Sequence, residues 1–176
     1  MVGVAIVVVG MQKDVVGQYC THIISRIKKL VERAREKGVL VIYACDVHYE
    51  DDFIFKKLGI KPCALKGTKG AEVVDELAPQ PEDMVVEKRM LSAFFATDLD
   101  FTLRHRGVDR LIVVGVMTEG CVLKTALDAM EIGYDVVVVE DCCASPNLRG
   151  HEVAIELLKQ LKIIEITTFE KILEKL

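Results

Sequence analysis

Cys121 has the sequence setting of a reactive thiol. It follows the apolar run Leu111–Val114 and comes three residues after Thr118, a residue type that often caps a helix N-terminus. A thiol in the first turn of a helix lies near the positive end of the helix dipole and near unpaired N–H groups, which lower its pKa. The same N–H groups can hold the oxyanion formed when a thiolate attacks a carbonyl. The spacing predicts a nucleophile, with a small buried core residue as the alternative.

Lys88 is the candidate positive neighbour of that thiol. It follows the apolar run Met84–Glu87, so it stands at a strand end where a lysine can be partly buried beside a thiolate. The alternative is a solvated lysine in a surface charge cluster with Glu87 and Arg89.

Asp46 and His48 are candidate metal ligands. They follow the apolar run Val39–Ala44 and lie on the same side of an extended chain. A carboxylate and an imidazole at this spacing form half of a divalent, zinc-like site. Cys63 or His22 would have to supply a third ligand from a distance. The alternative is a hydrogen-bonded Asp–His pair without a metal.

Several other site types lack their motifs. The chain has no C-x-x-C pair, and neither G-x-G-x-x-G nor G-x-x-x-x-G-K-[ST] follows an apolar run. Zinc-ribbon, thioredoxin-like, dinucleotide and P-loop sites are therefore disfavoured. The six cysteines are expected to be reduced thiols of a cytoplasmic protein. A thiol-redox role for the adjacent Cys142 and Cys143 is a third hypothesis.

The elements that position these residues follow from alternating apolar and amphipathic segments. Strands are predicted at Val4–Val9, Val39–Ala44, Met84–Glu87, Leu111–Val114, Asp135–Val139 and Ile163–Ile166. Helices are predicted at Cys121–Met130 and Glu152–Leu161, and residues 49–81 are an irregular excursion at the sheet edge. This pattern predicts an α/β fold, a three-layer Rossmann-like open parallel sheet of about six strands with helices on both faces. Ligands collect at the carboxyl ends of such strands.

Length and composition bound the remaining classes. The 176 residues suit one domain spanning 1–176, and 51% are hydrophobic, which excludes a disordered chain. The 23 basic and 27 acidic residues give a net charge of −4 without a basic block, so no nucleic-acid partner is expected. No apolar stretch approaches the roughly 18 residues that a membrane span needs, so no membrane partner is expected either.

Four segments carry a family resemblance. They read LKGTKGAE at 65–72, EKRMLSAFFATDL at 87–99, GVMTEGCV at 115–122 and EDCCAS at 140–145. In this order, along a chain matching from Val4 to about Leu161, they resemble the isochorismatase-like cysteine hydrolases, which include nicotinamidases and N-carbamoylsarcosine amidases. The family uses an Asp-Lys-Cys triad, so the resemblance implies Cys121 as nucleophile and Lys88 as its positive neighbour.

The resemblance implies further site features. It implies a cis peptide between Val116 and Met117, with the N–H groups of Met117 and Cys121 forming the oxyanion hole. In metal-binding members an Asp-x-His pair and a later His hold the ion; Asp46 and His48 match that pair, and Cys63 stands where the third ligand would be. Catalysis by the triad requires no cofactor. A homo-oligomer, a dimer or larger, is also implied.

The departure from the family lies after the first strand. The family reads Asp-Met-Gln-x-Asp, whereas this chain reads Gly10-Met-Gln-Lys-Asp14. Gly10 therefore replaces the carboxylate that moves the proton of the thiol, and Asp14 matches only the second carboxylate. The resemblance implies a cysteine hydrolase that cleaves a small amide or carbamoyl substrate through a thioester, impaired by Gly10, with Asp14 or a water handling the proton. The alternative is a catalytically silent member that binds a small ligand or serves in oligomer assembly.

Overall fold

The apolar runs form one parallel sheet. The computed structural model describes residues 3–176. The strands are β1 Gly3–Val9, β2 Leu40–Asp46, β3 Met84–Lys88, β4 Val108–Val116, β5 Asp135–Ala144 and β6 Glu165–Thr167. Their order is β3-β2-β1-β4-β5-β6 and every neighbouring pair is parallel. The predicted six-stranded α/β sheet is confirmed.

Helices cover both faces of this sheet. They are α1 Lys13–Val16, α2 Ile24–Glu36, α3 Phe53–Leu58, α4 Leu99–His105, α5 Leu123–Glu131, α6 Leu148–Leu161 and α7 Phe169–Lys175. Short 3₁₀ turns occupy Thr21–Ile23, Lys69–Ala71 and Asp75–Leu77, and a π-helical segment spans Thr118–Val122. The two predicted helices correspond to α5 and α6. Cys121 itself lies in the π-helical segment that leads into α5.

The core lies on both sides of the sheet, as the unbroken apolar runs require. In β1, Ile6 and Val8 pack into one cluster with α2, while Ala5 and Val7 pack into the cluster on the opposite face. Each of these four residues is at most 1% exposed. Because β1 has no solvated face, it fixes the centre of the sheet rigidly. No helix among residues 3–176 is long and apolar enough to span a bilayer.

The strand order reverses beside β1, which lies between β2 and β4. The carboxyl ends of these strands and of β3 therefore share one edge of the sheet, where open α/β folds form their ligand sites. Asp46 and Lys88 end adjacent strands and are paired in register. The excursion over residues 49–81 is tied to this edge by isolated bridges from Gln12 to Val73 and from His48 to Leu65.

Candidate active site

Three side chains meet at this edge: Asp46 and Lys88, which end β2 and β3, and Cys121, which lies in the π-helical segment after β4. Lys88 Nζ lies 3.3 Å from the sulfur of Cys121 and 2.6 Å from Oδ1 of Asp46. The ammonium also donates to the carbonyl of Met90 at 3.2 Å. The side chain of Lys88 is fully buried and that of Asp46 is 12% exposed. Burial leaves a lysine charged only if acceptors replace its water, and these three atoms do so.

The charges of this cluster support one another. Burial alone would lower the pKa of Lys88, but Cys121 and Asp46 outweigh it and the pKa is raised. Burial alone would raise the pKa of Asp46, but neighbouring His48 and Lys88 hold it below its ordinary value. Lys88 and Asp46 therefore form a charged pair at neutral pH, next to the thiol.

Cys121 differs from its sequence-based prediction in one respect. Burial raises the pKa of its thiol, while the charge of Lys88 and the backbone N–H of Met117 only partly offset that effect. The expected lowering of the pKa was wrong because Cys121, although half-buried and not fully enclosed, loses enough of the water around its sulfur to disfavour the charged thiolate. The resting group is a neutral thiol beside an ion pair.

The polypeptide around Cys121 also differs from a capped helix start. Thr118 is not the N-cap; the cap position is Met117, and the Thr118 hydroxyl lies 2.8 Å from Nδ1 of His151 on α6. The Val116–Met117 peptide is cis, as the resemblance implied. Thr118 therefore ties the start of this helical segment to α6.

Asp14 lies outside the cluster. Its Oδ2 accepts a hydrogen bond from the N–H of Ala64 at 3.0 Å, which fastens the excursion to α1. Neither Lys88 nor Cys121 has Asp14 among its hydrogen-bond or ion-pair partners. The predicted catalytic role of Asp14 therefore has no geometric support, because α1 turns this carboxylate toward the loop.

Gln12 is a site residue that the sequence reasoning missed. It is fully buried. Its Nε2 donates to the carbonyls of Asp46 and Ala71, both at 2.7 Å, and its Oε1 accepts from the N–H of Asp46 at 2.6 Å. Gln12 thus fixes the main chain that carries Asp46. A polar residue directly after a fully apolar strand was the available signal.

Asp46 and His48 do not fit the predicted metal site. His48 Nε2 lies 3.7 Å from Asp46 Oδ1, but that carboxylate already engages Lys88. His48 Nδ1 lies 3.0 Å from Asp52, which also accepts from Arg89. Within residues 3–176, no group of three His, Cys, Asp or Glu side chains is arranged to hold an ion. Cys63 completes no ligand set, so no chemical step is derived through a metal here.

Gly10 has a structural reason to be glycine. Its φ of +64° lies in the left-handed region, and its N–H donates to the carbonyl of Ala44 at 3.0 Å. A Cβ at this position would lie 2.5 Å from the carbonyl oxygen of Val116. The end of β1 therefore approaches β4 too closely for a side chain, and no carboxylate can enter the site from position 10 without moving the backbone.

We expect Gly10→Asp to lower the free energy of unfolding by about 2 kcal/mol or more, and not to raise amide turnover. The reasons are the left-handed φ and the contact with Val116. Urea unfolding followed by circular dichroism measures the loss. Gly59→Asp is the control, because Gly59 has a similar φ of +65° with open space around it. Equal stability losses in the two variants would contradict the close approach at Gly10.

A small cavity lies beside Met90, and none of Cys121, Lys88 and Asp46 lines it. Its volume is about 250 Å³, and Met90, whose carbonyl binds Lys88, lines it together with Tyr49, Arg89 and Phe95.

The six cysteines are free, and burial raises the pKa of Cys45 and Cys142 to about 12. Among these thiols, Cys121 is the one in contact with a lysine.

Comparisons with known proteins point to one family. The isochorismatase domain model matches residues 4–170. A probable inactive nicotinamidase of Arabidopsis thaliana is 31% identical over 94% of this chain and 93% of its own. The structure of an isochorismatase-like hydrolase from Alkaliphilus metalliredigens superimposes with a TM-score of 0.90 at 30% identity, covering 98% of each chain. N-carbamoylsarcosine amidase from Thermoplasma acidophilum gives a TM-score of 0.84 at 30% identity, covering 95% of this chain and 96% of its own.

Proposed function

The chain belongs to the isochorismatase family, whose members include amidohydrolases that act on C–N bonds other than peptide bonds, and on that premise we propose that it is a cysteine-dependent amidase. The substrate is a small molecule with an amide or carbamoyl group. The observation that carries the proposal is the 3.3 Å contact between the buried Lys88 ammonium and the Cys121 sulfur. A cation at that distance stabilises the thiolate as it forms.

The reaction runs through a thioester. The Cys121 sulfur attacks the carbonyl carbon, and the N–H groups of Met117 and Cys121 hold the oxyanion. The C–N bond breaks, ammonia or an amine leaves with one added proton, and the acyl group stays on sulfur. Water then attacks the thioester, which releases the acid and restores the thiol. The backbone N–H of Met117 lowers the pKa of the Cys121 thiol, and this influence on the sulfur supports the assignment.

Gly10 favours slow turnover. The carboxylate that β1 supplies in the resembled motif is missing, and general acid–base help of that kind is worth about 10²–10⁴-fold. The same glycine favours a second candidate function, a catalytically silent protein that keeps the site for binding a small ligand. The name of the Arabidopsis relative, a probable inactive nicotinamidase, points the same way for that protein.

Ammonia release separates the two candidates. The purified protein is incubated with a panel of small primary amides and ureido compounds, before and after alkylation by iodoacetamide. We expect ammonia from at least one compound, and none after alkylation. If no compound yields ammonia while one of them raises the melting temperature of the protein, the silent binding protein replaces the amidase.

We further propose that the protein acts as a homo-oligomer, a dimer or larger, in the cytoplasm. Helix α6 exposes the apolar side chains of Leu148, Val153 and Leu157, which supports an interface between copies. Six free thiols support a reducing compartment. Size-exclusion chromatography with light scattering tests the assembly, and a monomer at micromolar concentration would contradict it.

A further inference from the structure

The proton of the Cys121 thiol needs an acceptor that Gly10 does not supply. The thiol is neutral at rest, so attack on a carbonyl must release its proton. Lys88 is the polar side chain that touches the sulfur, and as an ammonium it has no free lone pair. Lys88 can accept that proton only if it gives one of its own to another group at the same moment.

Asp46 is placed to take that proton. Within residues 3–176, it is the carboxylate that forms an ion pair with Lys88, at 2.6 Å. Its oxygen and the Cys121 sulfur are both bound by the same Nζ. The register between β2 and β3 sets Asp46 beside Lys88. The Gln12 side chain holds the main chain of Asp46 by accepting from its N–H and donating to its carbonyl.

We propose that Asp46 serves this site in place of the carboxylate missing from β1, acting on Cys121 through Lys88. In the attack step, one Lys88 N–H proton moves to Asp46 while Nζ takes the proton of the thiol. The sulfur bonds to the carbonyl carbon as it loses its proton, and the carbonyl π electrons move to oxygen, so the result is a tetrahedral oxyanion, an ammonium and a neutral carboxylic acid. When the C–N bond breaks, Lys88 gives a proton to the leaving nitrogen and regains one from Asp46, so charges and protons balance.

This role makes Asp46 a positioning residue, and it rests on the proposed amidase function. The Asp46 oxygen that lies nearest His48 is also the oxygen that binds Lys88. The contact that argues against a metal site is therefore the contact through which Asp46 acts. It also explains how the site works with Gly10, whose backbone leaves no room for a side chain. Asp46, at the end of β2, contacts Lys88, whereas Gly10, directly after β1, has no side chain to do so.

The leaving group provides the test. An amide must have its nitrogen protonated to leave, whereas a p-nitrophenyl ester of the same acid releases a stable phenolate. Both substrates need the proton of the Cys121 thiol removed, so we expect Asp46→Asn to lower kcat/KM for the amide and for the ester. Because only the amide also needs a proton returned to its leaving group, we expect the amide loss to exceed the ester loss by about tenfold or more. Asp46→Glu, which restores the carboxylate, is expected to recover part of the amide-to-ester ratio.

Asp83→Asn is the matched control. Asp83 is a buried carboxylate, 1% exposed and paired with Arg35, on the far side of the fold from Lys88. The Asp83→Asn variant loses a buried ion pair similar to the one between Asp46 and Lys88. The kcat/KM of this variant for both substrates is expected to stay within about threefold of the native value.

Three results would overturn the role of Asp46 or the amidase function on which it rests. Equal losses of amide and ester turnover in Asp46→Asn, or no loss of either, would overturn the role of Asp46. If Asp46→Asn does not fold, Asp46→Glu carries the test. The longer side chain displaces the carboxylate from its 2.6 Å contact with Lys88, so amide turnover is expected to fall more than ester turnover. An amide-to-ester ratio within about twofold of the native ratio would overturn the role of Asp46. Native protein that cleaves neither substrate overturns the proposed amidase and this inference with it.

Discussion

Replacing Cys121 by serine is expected to lower kcat/KM for the amide by about 10⁴-fold or more. A serine hydroxyl is a far weaker acid than a thiol, so Lys88 and Asp46 cannot draw its proton away to the same extent. The substitution is nearly isosteric and leaves the Lys88–Asp46 ion pair in place. Initial rates of ammonia release at several substrate concentrations measure the loss.

Cys142→Ala is the control for Cys121→Ser. Cys142 is a buried, free thiol that is bonded to no lysine among residues 3–176, and its removal is expected to leave kcat/KM within about threefold of native. A large activity loss in Cys142→Ala together with a small one in Cys121→Ser would contradict the nucleophile assignment. That result would favour thiol-redox chemistry at Cys142 and Cys143.

Replacing Lys88 by methionine is the second change with a large expected effect. The variant loses the cation beside the thiol and the group that relays its proton, so kcat/KM is expected to fall by about 10²–10⁴-fold. It also removes the ammonium partner of the buried Asp46 carboxylate and leaves only His48, at 3.7 Å, beside it. Breaking a buried ion pair in this way costs about 3–5 kcal/mol of unfolding free energy at neutral pH. Ammonia release and urea unfolding measure the two effects.

The pH dependence of stability gives this variant a distinct signature. In the native protein the pKa of Asp46 is below its ordinary value, so the charged carboxylate adds to the free energy of unfolding at pH values above that ordinary value. This contribution is lost as the pH falls through the folded pKa. Without Lys88, one of the groups that lower the pKa of Asp46 is lost, so this pKa is higher in the variant than in the native protein. The stability deficit of the variant is therefore expected to shrink as the pH falls below 3.8, the ordinary pKa of an Asp side chain.

Lys159→Met is the control for Lys88→Met. Lys159 lies on α6, is largely exposed and pairs with Glu140 at 2.6 Å, so its loss is expected to change stability by less than about 1 kcal/mol. A Lys88→Met variant whose stability deficit stays the same between pH 7 and a pH well below 3.8 would contradict the pairing of Lys88 with Asp46.

The fold was predictable because its signal is local. Unbroken runs of β-branched residues, such as residues 4–9 and 135–139, identify strands buried on both faces, and their alternation with helices gives a parallel sheet. Cys121 and Lys88 were predictable as site residues because both lie at strand ends of that sheet. The contact between their side chains agrees with that prediction.

The identity of the carboxylate was not predictable from local sequence. Asp14 is near Gly10 in the chain, but α1 turns it toward Ala64, while Asp46 reaches Lys88 through the register of two strands 42 residues apart. Register between strands and the direction of a side chain after a tight turn are properties of tertiary packing. The raised pKa of Cys121 has the same origin, because burial depends on residues distant in sequence.

The most direct test of the account is to look for an acyl group on Cys121. The native protein is mixed with a slowly hydrolysed amide, quenched in acid, digested and analysed by mass spectrometry. We predict that the peptide containing Cys121 gains the mass of the acyl group and that hydroxylamine removes it. Turnover of the amide with no acylated Cys121 peptide at any quench time, or with the acyl group on another residue, would contradict the account.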